Sequence, residues 1–235
     1  MSKLILVPTP IGNLEDITLR GLRILQEADV IFAEDTRVTK KLLTHYNIDK
    51  QVLACHQHNE HQQLDYFIRT ISSYQMVAMV TDAGTPGISD PGFMLVRACL
   101  DAQIEVETLP GATAFVPALV NSGLPCDRFY FYGFLPHKKG RKTAIERLSV
   151  LEETFILYES PFRLVKTLEQ LLETAGNRQM SVCRELTKLY EETFRGSLSD
   201  AIAYFSQKEV KGEIVIIVQG KNQFEKQSAN EEFME

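Results

Sequence analysis

Short apolar runs alternate with amphipathic segments along the first half of the chain. Met76-Val77-Ala78-Met79-Val80 is continuously apolar, which is typical of a buried strand. The segment that follows has the period of an amphipathic helix, starting at Asp90-Pro91 as N-cap and first helical position. The apolar face of this helix consists of Leu95, Val96, Cys99 and Leu100. Between strand and helix, residues 82–90 are rich in glycine and proline. This arrangement predicts a ligand site at the carboxyl edge of a parallel sheet, with a plain surface turn as the alternative.

The same alternation predicts the other elements of this half. Strands are expected at residues 3–7, 30–33, 51–54 and 104–106. Helices are expected at residues 18–27, through Leu42 and Leu43, after a capping box of Asn59 and Gln62, and after Ala114. Strands that alternate with helices predict a mainly parallel α/β sheet.

Turn-forming residues at 121–127 end this pattern and predict a domain boundary. We therefore expect an N-terminal α/β domain at residues 1–120 and a C-terminal α/β domain at 121–220. The polar, aperiodic residues 221–235 are predicted to be disordered. The second half predicts strands at 128–134, 155–159, 180–185, 191–195 and 213–219, and helices at 143–150, 163–175 and 198–205. Consecutive strands near Met180 and Thr193 indicate a hairpin, and hence a mixed sheet.

Composition narrows the class of protein. Hydrophobic residues make up 44% and charged residues 24% of the 235 residues, as in soluble globular proteins. No apolar run approaches the ~20 residues that span a bilayer, so no membrane association is expected. The start of the chain does not fit a signal peptide, and the four cysteines are scattered, which predicts free thiols in the cytoplasm. The net charge of −6 argues against nucleic-acid binding, except at the basic segment His137-Lys138-Lys139-Gly140-Arg141-Lys142.

The loops at the predicted strand ends have a common chemistry. Residues 8–13, 82–90 and 110–114 contain neither a GxGxxG nor a GxxxxGK[ST] motif, which disfavours dinucleotide and P-loop sites. They are neutral or acidic and carry no lysine. We therefore expect a ligand held by backbone groups and small side chains rather than a polyphosphate.

Charged and metal-ligating residues leave several alternatives open. Glu34-Asp35-Thr36-Arg37 follows a strand and is either an active-site cluster or a solvated turn. Cys55-His56-Gln57-His58 with His61 fits a polar helix start better than a zinc site, because a second ligand pair is missing. The basic segment lies beside Phe134, a pairing that favours RNA contact over a solvated loop. Glu185 and Lys188 end a second-half strand, as a surface ion pair or as part of a cleft.

A set of ordered motifs between Lys3 and about Gly220 resembles the ribosomal RNA small subunit methyltransferase I family, within the tetrapyrrole methylase-like, class III S-adenosylmethionine methyltransferases. The motifs are Pro8-Thr9-Pro10-Ile11-Gly12-Asn13-Leu14, Ala33-Glu34-Asp35-Thr36-Arg37, His58-Asn59-Glu60, Thr81-Asp82-Ala83-Gly84-Thr85-Pro86, Asp90-Pro91-Gly92, Pro110-Gly111, Tyr158-Glu159-Ser160, Arg184-Glu185-Leu186-Thr187-Lys188 and Lys211-Gly212-Glu213.

This resemblance implies a two-domain α/β fold with S-adenosylmethionine in the cleft between the domains. It implies 2′-O-methylation of a cytidine in the decoding region of 16S rRNA, on the small ribosomal subunit, by a homodimer. In-line attack of a ribose hydroxyl on the sulfonium methyl group requires no metal. The positions implied to bind the donor are Ile11, Asp82, Ala83, Gly84, Thr85, Ile88, Thr113, Ala114, Tyr158, Glu159 and Thr187. Longer family members carry a further C-terminal segment.

The remaining charged residues are candidates for catalysis and RNA binding. If the two domains meet over the donor, the catalytic candidates are Glu34, Asp35, Arg37 and Lys188. The candidate RNA contacts are Lys138, Lys139, Arg141, Lys142 and His58. Two alternatives stay open: a methylase of a small tetrapyrrole-like substrate, and a non-catalytic RNA-binding module.

Overall fold

The chain folds into two compact units, Met1–Thr113 and Ala114–Glu235. The structure, a computed structural model, describes residues 2–56, 60 and 63–221. The capping box of Asn59 and Gln62, and the tail from residue 222 onward, lie outside the described residues.

The first unit contains a five-stranded sheet in the order β3-β2-β4-β1-β5, in which every neighbouring pair is parallel. Its strands are β1 (Lys3–Leu6), β2 (Val30–Ala33), β3 (Val52–Ala54), β4 (Met76–Val80) and β5 (Glu105–Thr108). Its helices in the described part of the chain are α1 (Leu19–Glu27), α2 (Thr36–His45), α3 (Leu64–Ser72) and α4 (Phe93–Asp101).

Helices cover both faces of this sheet, which explains why its strands are continuously apolar. Alternate residues of β1 point to opposite faces, so Ile5 packs with α1 and α2, whereas Leu4 packs with α3 and α4. The predicted parallel α/β architecture is confirmed. The carboxyl ends of the five strands therefore lie at one edge of the sheet.

The start of α4 corrects the sequence prediction. Gly92, with φ of +135°, is the N-cap, and the helix begins at Phe93 rather than at Asp90-Pro91. Leu100, predicted to be buried, is 60% exposed, because Leu95 and Cys99 form the stripe that faces the sheet and Leu100 lies one position around the helix.

The second unit contains a mixed five-stranded sheet in the order β6-β7-β10-β8-β9. The pair β6-β7 is parallel and the other pairs are antiparallel, so the predicted mixed sheet with a β8-β9 hairpin is confirmed. The strands are β6 (Phe129–Phe134), β7 (Thr154–Glu159), β8 (Gln179–Arg184), β9 (Glu192–Ser197) and β10 (Ile214–Val218), and the helices are α5 (Phe115–Ser122), α6 (Arg141–Ser149), α7 (Leu164–Ala175) and α8 (Leu198–Phe205).

One face of the second sheet packs on α6, α7 and α8, with Phe155 and Leu157 in that core. Helix α5 packs on β8 and β10 and so belongs to the second unit, whereas the sequence analysis assigned residues 1–120 to the first domain. The division at residue 120 stays a prediction. No helix in the described ranges is long and apolar enough to cross a bilayer.

Candidate functional site

Three loops meet at the carboxyl edge of the first sheet because β4, β1 and β5 are neighbours there. The N–H of Thr9 donates to the carbonyl of Gly84, and the N–H of Gly84 donates to the carbonyl of Thr9, both at 2.9 Å. The Thr85 hydroxyl donates to the carbonyl of Ala112 at 3.0 Å. The loops after β1, β4 and β5 are thus joined by direct hydrogen bonds.

Two glycines allow this close approach. Gly84 has φ of +79°, in the left-handed region, and a Cβ there would lie 3.6 Å from Cγ2 of Ile11. A Cβ on Gly111 would lie 2.6 Å from Cβ of Pro8, which leaves no room for any side chain. The edge is therefore lined by backbone and small side chains, as a closely held ligand requires.

A buried carboxylate fixes the far end of the glycine loop. Oε1 of Glu60 accepts hydrogen bonds from the backbone N–H groups of Gly92, at 3.1 Å, and Leu95, at 2.9 Å. These donors belong to the first turn of α4, which has no partner for them within the helix. Glu60 therefore caps α4 from a distant part of the chain, a role that the sequence analysis missed.

We expect Glu60→Ala to lower the free energy of unfolding by about 1–3 kcal/mol, because two N–H groups would lose their acceptor. Glu60→Gln should cost less, since its amide oxygen can still accept. Urea denaturation measures both changes. Glu173→Ala, which removes an exposed glutamate from α7, is the control and should stay within about 0.5 kcal/mol of the original protein. Equal stability of Glu60→Ala and the original protein would contradict the capping role.

Acidic side chains from β2 and β4 meet at the same edge. Oδ1 of Asp82 accepts from the backbone N–H of Asp35 at 3.0 Å, and Oε2 of Glu34 accepts from the backbone N–H of Asp82 at 3.4 Å. Burial raises the pKa of Glu34 and that of Asp82. Both carboxylates are thereby better proton acceptors than an ordinary surface carboxylate.

Asp35 differs from these neighbours because it is paired with Arg37. The guanidinium donates from Nη2 to Oδ2 of Asp35 at 2.6 Å and from Nε to Oδ1 at 3.0 Å. These hydrogen bonds lower the pKa of Asp35 to about 2. Asp35 is therefore a weak base, and its effect is to hold the exposed Arg37 in one orientation.

Lys188, in the β8-β9 connection of the second unit, is held between two carboxylates. Its Nζ lies 2.9 Å from Oε1 of Glu185 and 3.1 Å from Oε2 of Glu213. Burial alone would lower the pKa of Lys188, but the hydrogen bonds to these carboxylates raise it. Lys188 is therefore a fixed cation rather than a base. Nearby Thr187, a predicted donor contact, has φ of +65°.

Glu159, another predicted donor contact, is buried and engaged by the protein itself. Its Oε1 accepts from the backbone N–H of Ser160 at 2.7 Å and from Nε of Arg163 at 2.8 Å. Its Oε2 accepts from the hydroxyl of Thr167 at 2.6 Å and from Arg141 at 3.4 Å. These four partners, with Glu159, form a cluster that we call the Glu159 network. Tyr158, next to it, packs its ring 5.1 Å from that of Phe131.

Arg141 belongs to this network and not to the basic surface predicted from the sequence. It is 7% exposed, and besides Glu159 it donates to Thr167 at 2.6 Å and to Gln170 at 2.9 Å. The buried charge of Glu159 needs a cation, which explains why this arginine turns inward. Lys138, Lys139 and Lys142 are exposed. The predicted RNA contact His58 lies outside the described residues.

The described residues near Cys55 do not support a zinc site. Burial, with a smaller contribution from the charge of Glu60, raises the pKa of Cys55 to about 12, which disfavours a metal-binding thiolate. Across the described ranges, no group of three His, Cys, Asp or Glu side chains is placed to hold a metal ion. His58 and His61 are outside those ranges.

Known protein families match most of this chain in sequence. The tetrapyrrole (corrin/porphyrin) methylases match residues 3–202. A ribosomal RNA small subunit methyltransferase I from Halalkalibacterium halodurans is 48% identical over 94% of this chain and 76% of its own length. Its namesake from Thermotoga maritima is 44% identical over 94% of this chain and 100% of its own. The chain belongs to the ribosomal RNA small subunit methyltransferase I family. Membership confirms the family, the fold class and the enzyme class predicted from the sequence.

Solved structures at lower identity share the fold of this methyltransferase I family member. Diphthine synthase aligns with a TM-score of 0.72 at 16% identity, over 94% of this chain and 90% of its own. A uroporphyrin-III C-methyltransferase from Thermus thermophilus, complexed with S-adenyl homocysteine, aligns with a TM-score of 0.64 at 20% identity, over 93% of this chain and 97% of its own.

Proposed function

We propose that this chain transfers the methyl group of S-adenosylmethionine to the 2′-hydroxyl of a cytidine in the decoding region of 16S rRNA, on the small ribosomal subunit. The broader prediction from the sequence, an S-adenosylmethionine-dependent rRNA methyltransferase, is confirmed by family membership. The cytidine and the 2′-oxygen are the finer proposal, and the family resemblance supports them.

The observation that carries the donor site is the direct joining of three glycine-rich and proline-rich loops at one sheet edge. Such a surface suits S-adenosylmethionine, which combines an adenosine with a cationic sulfonium and no polyphosphate. The first-unit residues proposed to hold it are Ile11, Asp82, Ala83, Gly84, Thr85, Ile88 and Thr113. The resemblance alone assigns the second-unit positions Ala114, Tyr158, Glu159 and Thr187.

The reaction asks the protein for alignment and for a proton acceptor. The donor, when bound, supplies an electrophilic methyl group, which the ribose oxygen attacks in line as the carbon–sulfur bond breaks. The hydroxyl proton must leave, and Glu34 or Asp82 suits this role because burial raises the pKa of each carboxyl. Arg37, oriented by Asp35, is suited to hold an RNA phosphate, and Lys188 supplies a fixed positive charge.

The experiment that tests the proposal is transfer of labelled methyl groups to purified small ribosomal subunits that lack the modification, followed by mapping. We expect label on the 2′-oxygen of one cytidine in 16S rRNA. Label on a base, or the absence of label on RNA, would overturn the finer proposal.

The basic surface of the second unit is the proposed contact for rRNA. Lys138, Lys139 and Lys142 are exposed there, and the Lys142 side chain is 91% exposed. Membership in the rRNA methyltransferase family, rather than these cations, disfavours the alternative of a small tetrapyrrole-like substrate. The alternative of a non-catalytic RNA-binding module predicts no donor binding, so calorimetry with S-adenosylmethionine separates it.

We expect replacement of Lys138, Lys139 and Lys142 by serine to weaken rRNA binding and to flatten its salt dependence. Each lost phosphate contact should reduce the slope of log K against log salt by about 0.7–0.9. Fluorescence anisotropy at several salt concentrations measures this slope. A matched loss of three charges, Arg69, Arg128 and Arg147 to serine, should leave the slope closer to that of the original protein. A slope unchanged by the lysine replacements would remove this surface from the interface.

The chain is proposed to be a homodimer, as the family resemblance implies, and sedimentation velocity tests that. It is proposed to act in the cytoplasm, where ribosomal subunits are its substrate.

A further inference from the structure

Aromatic and basic side chains gather at one edge of the second sheet. Phe134 at the end of β6 pairs with Tyr158 near the end of β7, and Glu159 at the end of β7 pairs with Ile214 at the start of β10. The turn after β7 and the loop after β6 therefore leave the sheet at the same edge. We call these two segments, residues 134–139 and 161–163, the aromatic–basic edge.

Phe162 is the most exposed aromatic side chain of this edge. It is 94% exposed, on the 3-10 turn Pro161–Arg163, and Phe134 is 54% exposed. Pro161 restricts the backbone of this turn, so the phenyl ring is presented from a rigid base. A solvent-facing ring on a turn with a restricted backbone offers a flat surface on which a nucleobase can stack.

The Glu159 network links the two segments of this edge through hydrogen bonds. Arg163 donates from Nε to Oε1 of Glu159 at 2.8 Å, and its Nη1 lies 2.8 Å from Nδ1 of His137. Because a guanidinium only donates, Nδ1 of His137 accepts this hydrogen bond. Arg141 also donates to the carbonyl of Pro136 at 3.3 Å. These hydrogen bonds thus fix both the turn that carries Phe162 and the loop that carries Lys138 and Lys139.

We propose that the aromatic–basic edge binds a single-stranded segment of RNA, with a base stacked on Phe162 and neighbouring phosphates held by Lys138 and Lys139. The inference rests on the proposed function and deepens it, because it names how the second unit contacts the substrate.

Charge decides between RNA and a second copy of the chain as the occupant. Exposed Lys138 and Lys139 lie beside the stacking surface, and Lys142 follows them at the start of α6. Two copies that met through this surface would bring two sets of these cations together, which is unfavourable. A phosphate backbone would neutralise them, and aromatic stacking together with cationic contacts is how proteins bind single-stranded RNA.

The test compares Phe162→Ala and Phe162→Tyr in the full chain, with a labelled single-stranded RNA oligonucleotide as the probe. Phe162→Ala should weaken binding on the order of tenfold, since one stacking contact is lost. Phe162→Tyr should bind normally because the ring is retained. The salt slope should not change in either variant, in contrast to the lysine replacements. Leu19→Ala, at a residue of the first unit that is 86% exposed, is the control for loss of an exposed apolar side chain.

Equal RNA affinity of Phe162→Ala and the original protein would overturn the inference. So would a change in the monomer–dimer equilibrium of Phe162→Ala without a change in RNA affinity, because the surface would then join two copies. Failure of the original protein to methylate small subunits would instead overturn the proposed function, and oligonucleotide binding would still test this surface separately.

Discussion

Gly84→Val is expected to reduce the affinity for S-adenosylmethionine at least about 100-fold, which corresponds to about 2.7 kcal/mol. The φ of +79° at this residue is unfavourable for a β-branched side chain. In addition, its Cβ would lie 3.6 Å from Cγ2 of Ile11 and 3.8 Å from the carbonyl oxygen of Ala112, so the two further methyl groups would fill the space between the loops. Isothermal titration calorimetry without RNA measures the affinity.

Gly123→Val separates these two effects. Gly123 has φ of +73°, and a Cβ at this residue would have nothing within 4 Å, so valine there imposes similar backbone strain without filling a site. Gly123 follows α5 in the second unit, and donor binding by Gly123→Val should be retained. Equal donor affinity of Gly84→Val and the original protein would place the donor elsewhere.

Glu34→Gln and Lys188→Met are expected to slow single-turnover methyl transfer by about 10²–10⁴-fold at saturating donor and subunit, the usual contribution of a proton-transfer or charge-stabilising group. Glu34→Gln removes a carboxylate whose pKa is raised by burial. Lys188→Met removes a cation held by Glu185 and Glu213. Binding of both partners should persist in each variant.

The pH dependence distinguishes the roles of Glu34 and Asp35. A base must be deprotonated, so the rate should fall as the pH decreases toward the raised pKa of Glu34. Asp35, with a pKa of about 2, stays ionised throughout that range, so Asp35→Asn should lower the rate by releasing Arg37 without shifting the pH profile.

The control for Lys188→Met is Lys208→Met, which removes a different ion-paired lysine of the second unit and should transfer methyl groups at the normal rate. Normal turnover by Glu34→Gln, Asp35→Asn and Lys188→Met would make the clusters structural only.

Hydrophobic periodicity predicted the helices and strands well because each of them buries its apolar positions in the core. Strand and helix bounds in the two units lie within two residues of those expected for the segments whose ranges were predicted. The loops at the strand ends were also predicted, because glycine and proline mark positions where two backbone segments approach each other closely. Gly84 and Gly111 are examples.

The pairing of charged side chains was harder to predict, because it depends on contacts between distant parts of the chain. Arg141 was grouped with its lysine neighbours, yet it turns inward to Glu159, 18 residues away in sequence. Glu60 caps a helix 32 residues further along the chain. Phe162 carries no sequence signal beyond the preceding proline. A buried carboxylate with several donors is recognised only once the fold brings them together.

The Glu159 network has a consequence for evolution and for protein engineering. Arg141, Glu159 and Thr167 of this network are buried, whereas Phe162, Lys138 and Lys139 are exposed to solvent. Surface substitutions usually change stability by no more than about 0.5 kcal/mol. The exposed residues can therefore vary without loss of the fold beneath them. Substrate preference can drift, or be redesigned, while the internal scaffold stays constant.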